Sequence, residues 1–113
     1  MKAIVTTRPG PPDVLRLQEV ETPAPSEHEI LIKVRATTVT PGDCNLRRFP
    51  VPVLFWLLMR ILYGVGRPKN RILGSDLAGD VEAMGDDVTL FREGDPVFAS
   101  TEMSFGAHAE YGC

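Results

Sequence analysis

The sequence predicts a mainly β domain, a partly open β-barrel with one or two short helices. Short β-branched or alternating segments recur along the chain, and turns drawn from its 10 glycines and 10 prolines separate them. The expected strands occupy residues 2–7, 14–20, 29–39, 77–84, 96–99 and 107–111. No strand leads into a complete glycine-rich phosphate loop, because Lys69 stands where a third glycine would follow Gly64 and Gly66.

Residues 29–39 form the clearest predicted strand. Alternation places Ile30, Ile32, Val34 and Ala36 on one face and Leu31, Lys33 and Arg35 on the other. The run Thr40-Pro41-Gly42-Asp43 ends this strand. Asp43 is expected to cap a short helix through residues 45–48.

The composition of the chain limits the kinds of partner that it is expected to bind. Its 113 residues fit one domain, and a hydrophobic content of 43% supports an ordinary core. The net charge is only −3, and no basic block interleaves with aromatic residues, so no nucleic-acid partner is expected. The basic residues of the middle of the chain fit either a solvated face or a phosphate-bearing ligand. Residues 1–5 do not resemble a signal peptide, and a cytoplasmic location is expected.

An apolar run covers residues 51–63 and contains Arg60. It has about 13 residues, whereas a membrane span needs about 20, so no membrane span is expected. Pro52 suits the first turn of a helix. The run therefore predicts a buried or lid-forming helix.

The thiols and imidazoles predict no metal site. Cys44 and Cys113 are too few for a disulfide framework or a zinc site of four thiolates, and reduced thiols are expected. His28 and His108 show no ligand spacing. We expect His28 to be exposed in a polar loop and His108 to pack in the barrel.

Seven motifs follow one another in a specific order. They are Met1-Lys2-Ala3-Ile4, Glu29 to Val34, Thr40 to Asp43, Gly74 to Gly79, Val81 to Gly85, Phe91 to Val97 and Gly106 to Tyr111. In this order they resemble the N-terminal GroES-like domain of the medium-chain dehydrogenase/reductase superfamily, especially its quinone-oxidoreductase-like branch. The resemblance implies that residues 1–113 are the substrate-side domain of a longer enzyme. The dinucleotide-binding domain and a C-terminal return segment would lie outside them.

The same resemblance implies an enzyme without zinc. Thr40 falls where the zinc-dependent members carry a cysteine ligand, Ser75 where they carry a histidine, and Asp76 where they carry a glutamate. Hydroxyl groups are poor zinc ligands beside thiolate and imidazole. The structural zinc lobe of the family would need four cysteines after Gly94-Asp95, where only Cys113 is found.

The implied activity of the full-length protein, a homo-oligomer by resemblance, is hydride transfer from NADPH to a quinone or an enone-type carbonyl compound. Thr40 and Ser75 are the catalytic candidates, supported by Asp43 and Asp76. The apolar run supplies the substrate-wall candidates Phe55, Trp56 and Tyr63. Alternatively, this run packs on the barrel or against the second domain, and the sequence favours neither role over the other. Two other functions remain open, a zinc-type alcohol dehydrogenase with altered ligands and a non-enzymatic GroES-like binding module.

Overall fold

A computed structural model describes residues 1–48, 54, 57–58, 61, 72–101 and 104–113. This part of the chain contains six strands and one α-helix that are described in full. They are β1 (Lys2–Thr6), β2 (Leu15–Glu19), β3 (Ile30–Thr37), α1 (Pro41–Arg48), β4 (Asp76–Met84), β5 (Pro96–Ser100) and β6 (Tyr111–Gly112). A 3-10 turn, Pro12–Val14, leads into β2. The mainly β class is confirmed, although the strand predicted at 107–111 is reduced to β6 and a single bridge at Ala109.

The strands form two antiparallel sheets. β1 pairs with β2, and a four-stranded sheet has the order β5-β4-β3-β6. Isolated bridges join Ala3 to Ala109 and Val5 to Ile72. Within the described ranges the sheets stay open and do not close into one barrel, because only these bridges link the hairpin to its neighbours.

Strand β3 departs from the strict alternation that its sequence predicts. Its register against β4 shifts between Leu31 and Ile32 and again between Val34 and Ala36. Leu31 and Ile32 are adjacent in sequence, yet both are buried, with 8% and 3% of their surface exposed. A bulge inserts an extra residue, so the residues after it face the opposite side from the one that strict alternation predicts. Alternation in the sequence does not show where a bulge occurs.

The core lies on one side of the four-stranded sheet. Ile32, Leu77 and Ala107 form its centre, and Ile30, Val34, Val97 and Ala99 pack against it. Gly79 allows β3 and β4 to approach closely, since a Cβ there would lie 2.0 Å from the carbonyl oxygen of Lys33.

The helix predicted over the apolar run is described only in part. Leu54, Leu57, Leu58 and Ile61 are helical and exposed. The substrate-wall candidates Phe55, Trp56 and Tyr63 lie outside the described residues. Among the helices that are described, none is long and apolar enough to cross a membrane.

Candidate functional site

Helix α1 begins with a reciprocal capping arrangement. Thr40 precedes the helix, and both its N–H and its hydroxyl donate to Oδ2 of Asp43, over 2.8 Å and 3.0 Å. The N–H of Asp43 donates back to Oγ1 of Thr40 over 3.3 Å. This is a capping box in which aspartate replaces the usual glutamate. The predicted cap at Asp43 was therefore wrong by three positions: Thr40 is the cap, and Pro41 opens the helix.

The second oxygen of Asp43 connects this helix to the loop before β4. Oδ1 accepts the N–H of Gly74 over 3.2 Å, and only 4% of Asp43 is exposed. Burial by itself would raise the pKa of this carboxyl. The hydrogen bonds from Thr40, the charge of His108 and the N–H of Gly74 outweigh burial, so the pKa lies below its usual 3.8. Asp43 is thus a buried carboxylate with hydrogen bonds on both oxygens.

Glycine is the only residue type that fits at position 74. Its φ is +97°, and a Cβ there would lie 2.6 Å from Cδ2 of His108 and 3.0 Å from Cβ of Ala107. The backbone continues the contact, since the N–H of His108 donates to the carbonyl of Leu73 over 3.0 Å. The ring of His108 lies 2.9 Å, through Nε2, from the carbonyl oxygen of Thr38. Because a carbonyl only accepts, Nε2 carries the donated hydrogen.

A second group of hydroxyls surrounds Asp76, the first residue of β4. Ser75 donates to Oδ2 of Asp76 over a long 3.4 Å, and Thr38 donates to the same oxygen over 3.2 Å. The hydroxyl of Thr37 donates to the carbonyl of Asp76 over 2.7 Å. These contacts hold the end of β3 against the start of β4, at the edge where α1 also begins.

Two cavities open beside these groups. One, of about 600 Å³, is lined by Asp43, Cys44 and His108 together with apolar residues of β1 and β2. The other, of about 500 Å³, is lined by Thr38, Asp76 and Phe98 together with Ala36 and Ala78. Phe98 is 90% exposed, so one wall of the second cavity is an open aromatic ring. Thr37 lines both cavities and Thr38 lines the second, so these two hydroxyls have access to space for a small molecule.

The structure brings the four described site candidates to one edge of the sheet. Thr40 and Asp43 bond to each other, and Asp43 also accepts the N–H of Gly74, the residue before Ser75. Thr38 and His108 join this edge as well, although sequence reasoning did not single out Thr38 and assigned His108 to packing. No local pattern signals them, because Thr38 and His108 are 70 residues apart and meet only through the fold.

Zinc does not fit the donors of this edge. Thr40 and Ser75 offer hydroxyl oxygens that are already bonded to carboxylates. Cys44 and His108 line one cavity, yet no third ligand joins them within coordinating distance among the described residues. The chemistry that these donors support is hydrogen bonding to an oxygen atom.

Comparisons with known proteins show which family this chain is similar to. The alcohol dehydrogenase GroES-like domain family matches residues 26–112. The quinone oxidoreductase of Lama guanicoe is 38% identical over 115 residues, covering 98% of this chain and 30% of that protein. A zinc-type alcohol dehydrogenase-like protein of Staphylococcus epidermidis is 37% identical over 90 residues, covering 79% and 22%. The solved structure of mycobacterial Rv1454c complexed with NADPH is 34% identical with a TM-score of 0.74, covering 98% and 30%.

The chain spans about 30% of the length of the curated quinone oxidoreductases that it matches. The family match nevertheless covers most of the chain and includes both sides of the Asp43–Gly74 contact. The chain therefore belongs to the alcohol dehydrogenase GroES-like domain family of the medium-chain dehydrogenase/reductase superfamily, with quinone oxidoreductases among its relatives.

Proposed function

We propose that this chain is the substrate-side domain of an oxidoreductase that transfers a hydride from NADPH to a quinone or an enone-type carbonyl compound without zinc. In this proposal residues 1–113 form the GroES-like domain, and a dinucleotide-binding domain lies elsewhere in the protein. The substrate is a small molecule, and the complete enzyme is a homo-oligomer.

One observation carries the proposal: the Asp43 carboxylate fixes Thr40 beside the Gly74–Ser75 loop in a site that offers hydroxyls in place of zinc ligands. A carbonyl that accepts a hydride develops negative charge on its oxygen. Preorganised hydrogen-bond donors stabilise such an oxygen without a metal. The quinone oxidoreductase relatives and the NADPH-bound mycobacterial protein support this reaction class.

Bound NADPH would supply the hydride, and the residues of this chain would orient the substrate and polarise its carbonyl. The structure favours Ser75 over Thr40 as the donor. The hydroxyl hydrogen of Thr40 points to Asp43 over 3.0 Å, within a cap that also uses its oxygen. The hydroxyl of Ser75 makes only a 3.4 Å contact, so it can rotate toward a substrate oxygen at small cost. We assign Thr40 to positioning and Asp76 to holding Ser75.

The test uses the protein that carries this chain together with its dinucleotide-binding domain. NADPH oxidation is measured with a quinone, an enone and an aldehyde, with and without chelator. Ser75→Ala is expected to lower kcat by about 10²–10³-fold, the range for loss of one oxyanion donor, while Ser75→Thr retains the hydroxyl and more of the rate. Full activity of S75A would contradict the role of Ser75. The isolated 113-residue chain serves as the control and should not turn over NADPH.

A zinc-type alcohol dehydrogenase is the second candidate, and the Staphylococcus epidermidis relative favours it. Metal analysis separates the two functions. Stoichiometric zinc that is required for activity in the same protein would replace the zinc-independent proposal.

A further inference from the structure

A group of metal-ligand side chains lies far from the proposed site in the fold. Glu27 and His28 precede β3, and Asp87 lies in the turn after β4. Their ligand atoms all lie within 4.8 Å of one another, and Nδ1 of His28 is 3.5 Å from Oδ2 of Asp87. Sequence spacing gives no sign of this group, because 59 positions separate His28 from Asp87 along the chain.

Backbone hydrogen bonds hold the two loops that carry these ligands. The N–H of Asp87 donates to the carbonyl of Glu27 over 2.9 Å, and the N–H of Gly85 donates to the carbonyl of Glu29 over 2.9 Å. Gly85 allows the contact, since a Cβ there would lie 1.9 Å from the carbonyl oxygen of Ser26. The ligand-bearing backbone is therefore arranged before any ion binds, and little ordering of the chain opposes binding.

The surface beside two of these three side chains is concave. A cavity of about 250 Å³ opens directly beside the imidazole and Asp87, and Thr89 and Phe91 form part of its lining. An ion held by the three side chains could keep a further position open toward this cavity. A water molecule or a small anion would have room there.

The distances, charges and ligand types of these three side chains indicate which ion they would bind. Zinc bonds of about 2.0–2.2 Å in a tetrahedron separate the ligand atoms by about 3.3–3.6 Å, which matches the 3.5 Å between His28 and Asp87. Glu27 is exposed and its carboxylate lies within 4.8 Å of the other two ligand atoms, so a rotation of its side chain would complete the set. Two carboxylates balance a divalent charge, and an imidazole favours zinc over magnesium or calcium.

We propose that Glu27, His28 and Asp87 form a surface binding site for Zn²⁺ with one coordination position open to the adjacent cavity. Ile30 and Thr37 stand at opposite ends of β3, about 23 Å apart at 3.3 Å per residue. The site is thus separate from the Asp43 region and does not depend on the proposed catalytic function. A bound ion would link the loop before β3 to the turn after β4.

Isothermal titration of the tag-free, reduced chain with Zn²⁺ tests the site. We expect saturable binding of one Zn²⁺ ion per chain and a rise in the midpoint temperature of thermal unfolding. His28→Gln and Asp87→Asn should each weaken binding at least tenfold. Glu93→Gln, which removes an exposed turn carboxylate elsewhere, and Cys113→Ser, which removes an exposed thiol, should leave the affinity within about twofold.

Imidazole ¹H–¹⁵N spectra of the unmodified chain provide a readout that does not depend on mutant folding. Zn²⁺ should shift the resonances of His28 and leave those of His108 in place. Absence of saturable binding, unchanged affinity in folded H28Q, or shifts confined to His108 would each overturn the proposal. Equal affinity for Mg²⁺ would also overturn it, because it would show attraction by charge without imidazole ligation.

Discussion

A single buried carboxylate organises the candidate active site. Asp43 receives hydrogen bonds from Thr40 on one oxygen and from Gly74 on the other. The residue types were recognisable from the family motifs, and Asp43 was expected to support Thr40. That Asp43 reaches Gly74, 31 positions away, could not be predicted from the sequence, because the approach depends on where the fold places the loop before β4 relative to α1.

Gly74 permits a test at the level of one residue. Gly74→Ala should destabilise the chain by about 2–5 kcal/mol, because the added Cβ combines backbone strain at φ +97° with a clash against His108. Gly94→Ala is the matched control: φ is +88°, but nothing lies within 4 Å of the added atom. It should cost only about 1–2 kcal/mol. Urea unfolding measures both, and equal losses would show that the His108 contact is unimportant.

The start of α1 allows a prediction about a whole element. Thr40→Ala removes the cap oxygen and one hydrogen bond to Asp43, so the free energy of unfolding should fall by about 1–2 kcal/mol. Thr40→Ser keeps the hydroxyl and should remain within about 0.5 kcal/mol of the unmodified chain. Urea unfolding of the two variants decides the matter. A T40S loss as large as that of T40A would assign the effect to packing of the methyl group.

The strands differ in how well the local sequence predicts them. The interval 2–7 and strand β1 agree closely, as do 77–84 and β4, because these segments carry their own β-branched or alternating pattern. The end of the chain behaves differently: the interval 107–111 becomes the short β6, whose pairing depends on the partner β3. The bulges of β3 likewise arise from its register with β4.

The free energy of unfolding of the whole chain should depend on pH through the ionisation of Asp43. The pKa of this carboxyl is lowered in the folded state, so its contribution is fully present above its usual value of 3.8 and is lost as pH falls through the lower folded value. Asp43→Asn should cost about 1–3 kcal/mol at pH 7 and flatten the fall in stability below pH 4. Asp13→Asn, at an exposed position, is the control. Parallel acid profiles for D43N and the unmodified chain would contradict this assignment.

The sequence alone determined the mainly β class, the family and the residue types at Thr40, Asp43, Ser75 and Asp76. These properties follow from short-range patterns and from motif order, which are legible along the chain. The tertiary structure decided how closely each hydroxyl is held by its carboxylate. Asp43 holds the hydrogen of Thr40, whereas Ser75 has only a long contact with Asp76. Hydrogen-bond partners far apart in sequence are set by strand register and loop packing, and these exist only in the folded chain.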